Sequence, residues 1–140
     1  MLQQGQCTIF KQNCLSGKEN FTSTGTTYVY KIALYNANAN LSYATTAYTS
    51  VNEISGTGYT AGGQVLSPTT PASSGQTAYV SFDNVTWNPA SFTCRGALIY
   101  NSTTNAAVAV LDFGSDKSPT TSFTVTFPTN TDTTAILRLT

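Results

Sequence analysis

Histidine is missing from this 140-residue chain altogether. With it go the commonest general base, the commonest metal ligand and the usual switch near neutral pH. Charge is scarce too. Lys, Arg, Asp and Glu make up 9% of the residues, against about 25% in an average domain, and six cations balance six anions with no run of either sign. No basic stripe exists to follow a phosphate backbone, so nucleic acid is not an expected partner. The longest clean apolar stretch, residues 106–111, is far short of the roughly 18 residues a membrane-spanning helix needs, so a membrane is not expected either. The start, Met1-Leu2-Gln3-Gln4-Gly5-Gln6-Cys7, lacks the basic and apolar regions of a signal peptide, and synthesis in a cytosol without a cleaved signal is the expectation. Cysteines number three, an odd count that speaks against a closed disulfide framework. Cys7, Cys14 and Cys94 are therefore expected as free, partly buried thiols.

What replaces charge is hydroxyl and amide: 26 Thr, 14 Ser and 11 Asn, beside 40% hydrophobic and 11% aromatic residues. That mixture does not suit disorder, which goes with few aromatics and high net charge. One domain's length and recurring turn residues suit a β-rich fold. The only plausible helix lies near the N-terminus, where Thr8 can cap, Phe10 and Cys14 fall four apart, and Gly17 can stop it. Residues 27–35 alternate, with Tyr28, Tyr30, Ile32 and Leu34 on one face. A short strand is expected within residues 48–54, then a glycine-dense turn over residues 56–63, where a phosphate cradle would need a following helix that is absent. Strands are expected at 64–67 and 78–82, with residues 68–75 a loop and 84–89 a turn around Trp87. The clearest hairpin joins residues 91–100 to 106–113, both arms nearly continuous in apolar or small residues, as in strands covered on both faces. Residues 114–121 read as a turn, and 122–127 and 135–139 as closing strands. The expectation is an all-β, jelly-roll-like antiparallel β-sandwich of about eight strands over residues 26–140, preceded by an arm, residues 1–25, with a possible short helix.

Catalytic constellations fail one by one. No histidine is present to activate a serine or a cysteine, and no Gly-x-Ser-x-Gly elbow occurs. Glu53, Asp83, Asp112, Asp116 and Asp132 could in principle supply a glycosidase pair, but each stands among turn residues or ends a strand, where acids ordinarily sit in water. Asp83, Asp112 and Asp116 form no Asp-x-Asp-x-Asp-Gly calcium loop. Arg95 interrupts an apolar arm; a structural ion pair is expected, with Asp112 across the hairpin if the register allows, and a charge facing a partner is the alternative. No catalysis and no cofactor are expected. Exposed aromatics, Trp87 among them, leave open a tail-fibre or adhesin-like glycan-binding β module.

Three stretches carry a further signal. They are Lys31-Ile32-Ala33-Leu34-Tyr35; residues 52–63, from Asn52-Glu53-Ile54 to Ala61-Gly62-Gly63; and Arg95-Gly96-Ala97-Leu98-Ile99-Tyr100-Asn101, leading into residues 107–114. In that order and spacing, over roughly residues 8–140, the chain resembles the small cement, or decoration, proteins of tailed bacteriophages. The resemblance implies a jelly-roll sandwich, a place on the capsid exterior after synthesis in the host cytoplasm, and no catalytic residue. The partners it implies are the major capsid protein and further copies of the chain, as a dimer or trimer. The expected contact residues lie in the N-terminal segment: Phe10, Lys11, Leu15, Lys18 and Phe21.

Overall fold

Residues 1–140 are all described by the computed structural model. The elements follow in the order β1 (Gly5–Gln6), α1 (Thr8–Leu15), β2 (Tyr30–Tyr35), β3 (Gln64–Leu66), β4 (Ala72–Ser74), β5 (Thr77–Val80), β6 (Val85–Trp87), β7 (Cys94–Asn101), β8 (Ala106–Lys117), β9 (Phe123–Val125) and β10 (Leu137–Leu139). The fold is all-β apart from one short helix, and every strand pairing is antiparallel. Ten short strands fall into a five-stranded sheet in the order β1-β8-β7-β2-β3, a three-stranded sheet β10-β5-β4, and a two-stranded ribbon β6-β9.

The trunk of the large sheet is the β7–β8 hairpin. Its register runs from Asn101 opposite Ala106 to Gly96 opposite Asp112, with a shift between Ile99 and Tyr100. β7 is buried from Gly96 to Asn101 without interruption. That explains its continuous Ala97-Leu98-Ile99-Tyr100 run, since a central strand covered on both faces has no solvent side to alternate with. β2 pairs along its whole length with β7 and is buried at five of six positions. Its expected in–out alternation is therefore lost: Ala33 and Tyr35 are as buried as Ile32 and Leu34.

All three sheets share one core of 30 buried residues, to which Val80, Trp87, Val125 and Leu137 bring the smaller sheets. Each such large apolar side chain contributes roughly 1.5–3 kcal/mol on burial. The segment expected as an arm over residues 1–25 lies against this domain. β1 is the edge strand beside β8, and Cys7 and Phe10 belong to the core. The short helix is there.

Several boundaries differ from expectation. Residues 48–54 form no strand, only an isolated bridge between Tyr35 and Glu53. Two segments expected as loop and turn contain β4 and β6. β8 runs on through Gly114 to Lys117, where a turn was expected, because Lys117 still pairs with Cys94 beyond a bulge. The glycine-dense loop has a steric cause. A Cβ on Gly63 would lie 1.7 Å from the Ile32 carbonyl oxygen, and Gly63 has φ +80°, so only glycine lets the loop lie directly on β2.

Candidate binding face

The expected contact residues are set out by α1 and the chain that follows it. The helix begins at once after β1, and the N-cap position falls on Cys7, whose side chain makes no capping bond; Thr8 is the first helical residue, not the cap. The reason is that the Cys7 N–H donates to the Val108 carbonyl, which fixes the chain one residue earlier than the sequence suggested. At the other end, Lys18 N–H donates to Asn13 O and Gly17 N–H to Cys14 O, with Gly17 at φ +72°. This pair of bonds, closed by a left-handed glycine, is the Schellman stop.

The helix thus presents two faces. Phe10 and Asn13 point into the protein, while Lys11 and Leu15, four residues apart, point out with Lys18 just beyond the last turn. Leu15 is 92% exposed. Phe10 is only 2% exposed, so its ring contributes a wall and not a contact tip. Phe21 is half-buried, stacked on Tyr30 at 4.4 Å between ring centroids and edge-on to Phe10 and Phe82 at 6.0 Å each. Between α1, β5 and β10 lies an apolar groove of about 170 Å³, lined by Phe10, Cys14, Phe21, Tyr79, Leu137 and Leu139. Leu139 stands at its side, 40% exposed.

The electrostatics of this face are one-sided. The molecule's single ion pair joins Arg95 to Asp116 at 3.3 Å, so Lys11 and Lys18 have no acidic partner. The nearest carboxyl in sequence, Glu19, also lines the groove. Burial pushes it up to about 7, against the opposing effect of a hydrogen bond from Asn101. Burial likewise pushes the Cys14 thiol up to about 11, with the Glu19 charge adding to the effect. The face thus combines two lysines without ion pairs, exposed leucines and an acid that burial raises to about 7.

The acids once weighed for catalysis are placed otherwise. Glu53 does not sit in water as its turn residues suggested. Its Oε1 accepts from the Tyr48 hydroxyl and its Oε2 from the Tyr59 hydroxyl and the Gly62 N–H. Tyr59 Oη in turn accepts from Leu34 N–H at 3.0 Å, and Tyr100 Oη donates to Gly62 O at 2.7 Å. Burial and the Glu53 carboxylate raise all three tyrosines above their ordinary value, so their hydroxyls stay protonated as donors. Glu53 is the staple that closes residues 52–63 onto the sheet. Asp83 and Asp116 are exposed, and Asp112 and Asp132 half-buried. Arg95 pairs with Asp116, not Asp112, because the bulge between Cys94 and Gly96 puts Gly96 opposite Asp112. Trp87 is 1% exposed and packed among Tyr59, Phe92 and Phe123, which removes it as a sugar-stacking platform. Cys7, Cys14 and Cys94 are free thiols.

No protein family, characterised protein or solved structure matches the chain. No helix is long and apolar enough to cross a membrane. Sequence reasoning overlooked Glu19. The available signal was its position two residues past the helix-stopping Gly17 and two before Phe21, which carries it toward the same core as the ring.

Proposed function

We propose that the chain is a non-enzymatic structural protein of a tailed-phage particle. In this reading it is a jelly-roll-like β domain that binds the outside of the capsid shell as a cement or decoration protein, after synthesis in the host cytoplasm. Its partners are the major capsid protein and further copies of itself, in a dimer or trimer. The observation that carries the reading is the α1 face: Lys11 and Lys18 without acidic partners, flanking a Leu15 that is 92% exposed beside an apolar groove. An exposed leucine next to an apolar groove, with a lysine on either side, offers a partner both apolar area and positive charge. The sequence resemblance supports the choice of partner, and the hydrogen bonds that tie Glu53 into the loop are in keeping with a structural role for that acid.

The physics is clamping and avidity. A small domain that bridges neighbouring subunits adds buried area where a shell is weakest, and many weak copies sum to a large effect. Formal neutrality suits dense packing, because neighbouring copies repel one another little. The test uses particles that carry the protein and the triple variant Lys11→Glu, Leu15→Asp, Lys18→Glu. Stripped shells should melt at lower temperature, regain their melting point with the native chain at hundreds of copies per particle, and not regain it with the variant. Because all three side chains are exposed, the variant should still fold, its own unfolding shifting by about 1.5 kcal/mol or less. A handful of copies at the tail, or full recovery with the variant, would overturn the reading.

A further inference from the structure

Residues 19–28 make no backbone-to-backbone hydrogen bond; the last before them is Lys18 N–H to Asn13 O, and the next is Ser102 N–H to Val29 O. The segment is held by side chains instead. Asn20 closes it on itself, donating from Nδ2 to the Thr24 and Thr26 carbonyls at 2.7 Å each and accepting from Thr22 N–H at 2.9 Å. Its link to the sheet consists of Phe21 stacked on Tyr30, Asn20 N–H donating to Tyr30 Oη at 3.1 Å, and Glu19. Glu19 Oε1 accepts from Asn101 Nδ2 at 2.9 Å. The orientation of that amide is fixed, since Asn101 is fully buried and its Oδ1 accepts from Thr103 and Thr104 N–H. Glu19 Oε2 is buried and has no partner.

Nothing cationic compensates this oxygen. The Cys14 thiol on α1 and the Tyr30 hydroxyl on β2 lie close enough to feel the Glu19 charge, and Tyr28 acts on Tyr30 in turn. From β5, Tyr79 lines the same groove. Lys18, its chain neighbour, is exposed and makes no ion pair. A neutral carboxyl tolerates such a place. A carboxylate does not, because an unpaired charge in an apolar surround loses its hydration without replacement.

We propose that residues 19–28 form a strap, latched on the sheet while the Glu19 carboxyl is protonated and loosened when it ionises, so that proton concentration sets the shape of the α1 face. Loosening lifts Phe21 from the groove and uncovers the Phe10, Tyr30 and Phe82 rings beneath it. The position of the titration agrees. Burial holds the latched carboxyl at about 7, whereas the released one returns to 4.5, so ionisation favours release. The ratio of open to closed strap then rises about tenfold between pH 6 and pH 8. Only the consequence for docking rests on the shell-binding reading. The latch belongs to the free protein.

The test is hydrogen exchange on the full chain at pH 6 and pH 8, corrected for intrinsic rates. It reads the Asn20 amide, which donates to Tyr30 Oη on the sheet, against the amides of β7. Protection in the strap should fall about tenfold at the higher pH while β7 is unchanged, and Glu19→Gln should abolish the difference. Equal protection at both pH values, or the same loss in Glu19→Gln, would overturn the proposal. A carbon-detected titration of the Glu19 carboxyl serves where the variant folds poorly. A midpoint near 7 supports the latch and one near 4.5 sinks it. Shells that fail to bind the protein at either pH would count against the docking reading while leaving the latch intact.

Discussion

The loop of residues 52–63 and the strap of residues 19–28 each fold one carboxyl group against the large sheet. Glu53 receives three hydrogen bonds, from Tyr48, Tyr59 and Gly62, and two of those donors are tied onward to β2 or β7 by Tyr59 and Tyr100. Glu19 receives one bond, and its second oxygen is buried with none. Both residues are partly withdrawn from water, so burial does not separate them. What separates them is the number of donors the fold supplies. A carboxyl whose oxygens all accept hydrogen bonds acts as a staple, while one left half satisfied is costly to ionise. One chain therefore uses the same functional group as a permanent anchor and as a releasable latch.

Backbone contact gives the largest expected difference between the two regions. Gly63→Ala forces a Cβ into the Ile32 carbonyl at a left-handed φ and should cost about 3–5 kcal/mol, or prevent folding outright. Gly25→Ala in the strap also changes a left-handed residue, φ +77°, but its nearest neighbour is an Asn20 side-chain atom 3.8 Å away, so about 1 kcal/mol is expected. Urea unfolding of the two variants measures this directly. Equal losses would mean that the loop is no more firmly seated than the strap.

Removing the carboxyls should give the next largest effect. Glu53→Ala strands the Tyr59 hydroxyl and the Gly62 N–H at once, a loss of about 3 kcal/mol. Glu19→Ala removes a single bond, worth about 1 kcal/mol. Its folded carboxyl sits at about 7, above the ordinary 4.5. Between those values the native state keeps a proton that the unfolded chain has lost, so native stability falls as pH rises through that window and levels off above it. The Glu19→Ala variant escapes this decline. Relative to the native protein it should therefore gain stability between pH 5 and pH 8. Denaturant midpoints at those two pH values check it, and parallel curves would erase the distinction between staple and latch.

The two regions were not equally legible beforehand, and the reason is physical. The hairpin arms announced themselves, since Ala97-Leu98-Ile99-Tyr100 and residues 106–111 are apolar enough to require cover on both faces. Gly17 marked the end of α1 because few other residues adopt the left-handed stop. The glycines of residues 56–63 showed that a bent backbone was needed, but not that Glu53 would close it. Its donors come from Tyr48 and Tyr59, whose hydroxyls look alike until the loop is shut. β4 left no trace because Ala72, Ser73 and Ser74 are all exposed at the edge of a small sheet. β6 was hidden by its shortness, with only Val85 and Trp87 facing inward between turn residues. Lys11, Leu15 and Lys18, expected as contact candidates, are exposed on α1 and just beyond it. Glu19 was not legible, since its partner Asn101 lies 82 positions away.

The smallest expected effect comes from a charge that neither staples nor latches. Arg95 and Asp116 meet at 3.3 Å with side chains 37% and 55% exposed, the only ion pair in the molecule. Water and salt screen such a pair, and holding two mobile side chains together offsets most of its attraction. Arg95→Ala should therefore change stability by about 0.5 kcal/mol or less, and that small change should vanish in 1 M salt. The Glu53→Ala loss should survive the same salt, because its donors are largely sheltered hydroxyl and amide groups, not mobile ions. Measuring both variants in low and high salt isolates what the two carboxyl regions share. If Arg95→Ala matched Glu53→Ala in size, net charge balance and not local hydrogen bonding would govern this chain, and the contrast between Glu53 and Glu19 would lose its basis.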